Sequence, residues 1–107
     1  MNTHTQFEPD LTVQSFAYSA RQLARSSAAL APSAQYEQIL GEAEKHRSAL
    51  RLMQRDVFEK TEQGLRKQTL SRAEFQRMRE AAARKIDQAQ QAISRIAAQY
   101  APHRLAA

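Results

Sequence analysis

The stretch from Leu70 to Tyr100 constrains this chain most. It opens Leu70-Ser71-Arg72-Ala73-Glu74-Phe75, which reads as a helix start. A serine side chain can accept from the amide three residues on, and a glutamate there can reach back to the serine amide. Leu70 and Phe75 occupy the staple positions on either side of that box. Apolar residues then recur at Phe75, Met78, Ala82, Ile86, Ala89, Ile93, Ile96 and Tyr100. Their average step is about 3.6 residues, the period of an α-helix. One long helix with a single apolar stripe is predicted from Ser71 to Tyr100, with Pro102 beyond its end, and the other helices should pack along that stripe.

Two further helices are read upstream. Asp10 is a candidate N-cap, and Val13, Phe16, Ala20, Leu23, Ser27 and Leu30 follow at steps of three and four, a heptad-like stripe. Tyr18 lies off it. Pro32 should end this helix, because the residue before a proline avoids the α region. Ser33 would cap the next one, with a stripe at Tyr36, Ile39/Leu40, Ala43, Leu50, Met53 and Val57. His46 fills a position where the series calls for an apolar residue and reads as a half-buried structural histidine. Gly41 falls inside and would permit close contact with the first helix. Gly64 reads as the stop, a left-handed residue just past the helix; the alternative is a helix that runs through it to Lys67.

With only 2 Gly and 3 Pro in 107 residues, there are few places to break. The predicted fold is all-α: a long antiparallel helical hairpin with a shorter N-terminal helix packed against it, a three-helix bundle. Helices are expected over about 10–30, 33–63 and 71–100, with residues 1–9 a flexible tail and 101–107 a fraying end. The short first helix should leave the Gly64–Leu70 tip less covered. The 20 Ala against 7 aromatics imply a thin core in which close helix approach replaces bulk.

Several function classes are disfavoured. No cysteine is present, so disulfides, thiolate metal sites and cysteine nucleophiles are out. His4, His46 and His103 follow no metal spacing, and two glycines cannot build a phosphate loop. The reading is a non-enzyme with no cofactor and no metal. No apolar run approaches a membrane span, and the N-terminus lacks the features of a secretory signal. A cytoplasmic location is the default, and the excess of Arg over Lys together with abundant Ala reads as a GC-rich bacterial coding bias.

Charge is uneven. Residues 1–65 carry 7 basic and 8 acidic side chains, residues 66–107 carry 9 and 3, so the net +5 belongs to the second half. Arg47, Arg51 and Arg55 recur every four residues and form a ladder on one side of the second helix. Arg66, Lys67, Arg72, Arg77 and Arg79 gather around the tip. Both groups are candidate electrostatic contacts; the plainer reading of the ladder is a solvated face beside carboxylates such as Glu44 and Glu59. Leu52 and Phe58 lie off the main stripe and are candidate apolar contacts, for a protein partner or a homodimer. The expected function is a helical protein-interaction module: an adaptor, a chaperone-like accessory factor or an inhibitor of a larger bacterial assembly. The alternative is a basic nucleic-acid-binding accessory protein, with single-strand stacking disfavoured by the lack of interleaved aromatics.

Leu70 to Phe75, with Arg79 after it, resembles the short helical SHOCT motif of bacterial proteins, which opens in the Ile-Thr-x-x-Glu-Phe manner. The glycine that the motif places two positions before Leu70 is Gln68 here. The capping box and staple account for the same letters, and no family membership is read from them.

Overall fold

The computed structural model describes residues 7–102. His4, His103, most of the N-terminal tail and most of the C-terminal end lie outside them. Three helices are present, α1 (Pro9–Ser26), α2 (Pro32–Arg66) and α3 (Arg72–Ala98), and no strand occurs among the described residues. α2 and α3 pack against each other most extensively, and α1 packs on both, so the chain is a three-helix bundle built on a hairpin. None of the helices is long and apolar enough to cross a membrane.

The core is the line where the three stripes meet. Phe16 and Ala20 come from α1, Ile39, Ala43 and Leu50 from α2, and Ile86, Ala89, Ile93 and Ala97 from α3. Val13, Leu23, Met53, Ile96 and Tyr100 pack against this cluster while partly exposed. Phe7 does the same, so the N-terminal tail is structured from Phe7 onward. Leu40, Met78 and Leu30 depart from the predicted stripes and are exposed.

The helix ends differ from expectation on α1, at the start of α2 and at the tip. α1 begins one residue early, with Pro9 in its first turn and Glu8 at the N-cap position making no side-chain capping bond. Asp10 is therefore not the cap; it sits in the first turn, where the helix dipole favours an acid. α1 also stops at Ser26, four residues before Leu30. The Ser27 amide and the Ser26 and Ser27 hydroxyls all donate to the Leu23 carbonyl, which closes the last turn. From α2, Gln35 Nε2 of the side chain donates to the Ala24 carbonyl at 2.8 Å and ties the corner. α2 starts at Pro32 rather than after a Ser33 cap. A proline suits the first helical position, where its missing N–H is no loss.

The third difference is at the tip. Gly64 does not stop α2, which runs on to Arg66. The left-handed residue is Gln68, with φ of 61°, at the place where the SHOCT motif would have its glycine. The Thr69 amide donates to the Gly64 carbonyl at 2.9 Å and the Gln68 amide to the Leu65 carbonyl at 3.2 Å, which together form a Schellman ending. Gly64 matters instead for close approach. A Cβ there would stand 2.7 Å from Leu70 Cδ1 and 2.8 Å from its Cγ. Gly41 faces nothing within 4 Å, so it does not mediate contact with α1. The two glycines should therefore respond oppositely to alanine. Gly41→Ala is expected to gain up to about 1 kcal/mol of helix propensity, raising Tm by about 4–8 °C. At Gly64 the same gain is opposed by the clash with Leu70, and thermal melts should show Gly64→Ala below wild type.

α3 starts as the sequence indicates. Ser71 Oγ accepts from the Glu74 amide at 3.0 Å, and the Ser71 amide donates to Glu74 Oε1 at 2.8 Å. Those bonds, the backbone one first, hold the Glu74 carboxyl below its usual range. A depressed carboxyl contributes stability that is present above its unfolded pKa and lost as pH falls through the folded one. Ser71→Ala should cost about 1 kcal/mol at neutral pH. Glu74→Gln should instead flatten the loss of stability below the ordinary carboxylate pKa, measured by urea melts across the acid range.

Candidate partner-binding surface

The structure separates the sequence candidates into engaged and free groups. The arginine ladder is engaged. Arg47, half-buried, donates to Ser94 Oγ across to α3. Arg51 lies 2.6 Å from Glu44 and donates to Ser48 Oγ at 2.8 Å. Arg55 pairs with Glu59 at 3.5 Å. Arg51 holds the Glu44 carboxyl below its usual range, through its hydrogen bond first and then its charge. Glu44 and Glu59 are carboxylates that helix spacing places beside the ladder; the Arg47 bond to α3 is invisible to spacing alone.

Arg79 is also engaged. Its guanidinium lies over the Phe58 ring at 3.9 Å and near the Phe75 ring at 4.9 Å. An arginine between two rings, one from each arm of the hairpin, joins α2 to α3 by cation–π attraction and apolar contact. Phe58 is thus half-buried beneath it, while Leu52 is 60% exposed. Six positions apart on α2, Leu52 and Phe58 fall on different sides of the helix and do not make one patch. A single exposed leucine is ordinary.

His46 sits between α1 and α2 with both ring nitrogens partnered. Nδ1 is 2.8 Å from the Glu42 carbonyl, and Nε2 is 3.3 Å from Ser15 Oγ. Its ring tilts against Phe16 at 5.5 Å. The crevice beside it is lined by Glu8, Leu11, Thr12, Ser15, Ala49 and Met53, and the Glu42 carboxylate lies 3.7 Å from Nδ1. No group of three potential metal ligands occurs among the described residues.

Cations without an ion-pair partner among the described residues lie on α1, at Arg21 and Arg25, and on the tip and α3. All ion pairs among the described residues fall within α2. Arg66, Lys67, Arg72, Arg77, Arg84, Lys85 and Arg95 are exposed. On α3, Glu74 is occupied by the capping box and Asp87 accepts from Gln91 at 2.9 Å.

One feature emerges from helix lengths rather than residue type. α1 has 18 residues against 35 in α2, and its first turn lies beside Met53, 4.0 Å from Thr12 Oγ1. Past that point no third helix covers the α2–α3 groove among the described residues. Phe7, Val57, Met78, Ala81, Ala82 and Lys85 line it. Of these, only Val57, Met78 and Ala82 belong to the predicted stripes, and Met78, 46% exposed, shows where a stripe residue lacks a neighbour. Comparison with protein-family models, with curated proteins and with solved structures finds no match for the chain.

Proposed function

We propose that this chain is a non-catalytic helical module that holds a protein partner, as an adaptor, accessory factor or inhibitor within a larger assembly. The observation that carries this reading is the apolar groove of the hairpin beyond α1, which no third helix covers among the described residues and which Lys85 borders. Apolar burial would supply affinity, and the exposed cations would set orientation and association rate. The arginine ladder contributes less, because its members are already bonded within the chain.

The rival reading, nucleic-acid binding, draws on the same tip cations. One triple variant separates the two: Arg66, Lys67 and Arg72 all changed to Glu. A duplex-binding protein should bind random DNA with affinity that falls steeply with salt, and the variant should flatten that dependence by roughly three charges' worth of slope. A protein-binding module should bind duplex weakly. It should retain the partner, purified after capture from the native host, with a slower association rate in the variant. Tight, salt-sensitive duplex binding with no protein partner would sink the first reading.

A further inference from the structure

α1 carries two stripes. One is buried, at Thr12, Phe16 and Ala20. The other is exposed and runs Glu8, Leu11, Ser15, Tyr18 and Gln22, at steps of three and four, the spacing of a seam between helices. Leu11 is 53% exposed and Tyr18 58%. Each stands at the rim of a crevice between α1 and α2. Tyrosine suits such a place, apolar along its ring and wet at its hydroxyl. On the flank of this seam that faces α3, Asp10 and Arg21 are exposed. Neither has an ion-pair partner among the described residues.

These side chains are disposed evenly about Ser15. Leu11 lies four positions before it and Tyr18 three after; Asp10 lies five before and Arg21 six after; Glu8 and Gln22 stand seven to either side. We infer that this face receives a second copy of the chain, with the two α1 helices antiparallel and a two-fold axis passing beside Ser15. Turning a helix end for end about that axis sets the partner's Tyr18 against Leu11, and the partner's Leu11 against Tyr18. In an antiparallel two-fold pair each flank meets the same flank of the copy. Asp10 therefore meets the partner's Arg21, twice over, and Glu8 meets the partner's Gln22. No like charges are brought together. A parallel pair would leave Asp10 and Arg21 at opposite ends of the contact. Ser15 is small enough for the helices to approach at the crossing. Its hydroxyl is 3.3 Å from His46 Nε2, so it asks nothing of the copy. The net +5 of the chain does not oppose the contact, because Glu8, Asp10, Arg21 and Arg25 leave this helix neutral. The two tips then point in opposite directions, away from the axis.

The test is sedimentation equilibrium of the full chain from low to high micromolar concentration. A contact of about fifteen residues a side is at the small end for a specific interface, so a reversible monomer–dimer equilibrium is expected. Tyr18→Glu should raise the dissociation constant about tenfold or more. Asp10→Arg and Arg21→Glu should each weaken the dimer, since each sets like charges together at two symmetric places. An equimolar mixture of these two variants should recover it, because both cross-chain pairs are then attractive. That recovery carries the test if Tyr18→Glu melts early. Ser15→Cys, the one thiol in a chain without cysteine, should link into a dimer on mild oxidation. Gln22→Cys, about 20 Å from its copy, should not. A monomer at every concentration, a dimer indifferent to Tyr18→Glu, no recovery in the mixture, or linking through Gln22→Cys rather than Ser15→Cys would each overturn the assignment. None of these readouts uses a captured partner, so failure of the dimer and failure of the protein-interaction reading are told apart.

Discussion

Ala89→Glu is expected to lose most of its folded structure near room temperature. Ala89 is 3% exposed and belongs to the core with Ile86, Ile93 and Phe16. The crevice at its edge is lined by Asp10, Val13 and Gln14 of α1 and by Gln88 and Ala92 of α3. A carboxylate there is buried beside another acid, Asp10. An unpartnered buried charge typically costs about 3–5 kcal/mol, a large part of the roughly 5–15 kcal/mol that holds a domain of this size. The matched control is Ala73→Glu, at an exposed position in the first turn of α3, where the helix dipole favours an acid. Circular-dichroism melts should show the control near wild type and Ala89→Glu lowered by more than about 10 °C. Equal melts would mean that Ala89 does not face the seam.

Phe16→Ala should do comparable damage in a different place. Phe16 is fully buried and is the one residue of α1 among the largest fully buried side chains. Truncation removes its contacts and leaves a cavity, at about 3–5 kcal/mol. The loss should concentrate in α1, whose other anchors, Thr12, Val13, Ala20 and Leu23, are smaller or partly exposed. Hydrogen exchange by mass spectrometry should show α1 amides opening ahead of α2 and α3. Uniform acceleration across all three helices would instead show one indivisible unit.

The long third helix was legible because its signals agree. A cap, a matching glutamate and an apolar stripe all point to Ser71. The end of α1 was not, because Ser27 and Leu30 continue the stripe while the serine hydroxyls close the turn. Gly64 misled for a related reason. A glycine near a helix end is usually the left-handed stop, but here its missing Cβ makes room for Leu70 and the left-handed position falls to Gln68. Among site residues, the ladder's charge and its neighbours Glu44 and Glu59 could be read, but its bond to Ser94 required the fold. Arg79 left a faint trace, since it stands four positions from Phe75, though nothing local pointed to Phe58. The shortness of α1 could be read from the sequence, while the lining of the groove beyond it at Phe7, Ala81 and Lys85 could not.

The tip has a kinetic consequence. The Schellman ending of α2 and the capping box of α3 adjoin each other, and together they order Gly64 to Glu74 through bonds no longer than a few residues in sequence. Loop closure over so short a span costs little entropy. The α2–α3 hairpin therefore has a nucleus at its own bend and can zip from there, whereas α1 reaches α3 only across the whole length of α2. Folding rates should respond to substitutions at the bend, and unfolding rates to substitutions in α1. A short chain with a thin, alanine-rich core thus gains speed at one end and yields first at the other.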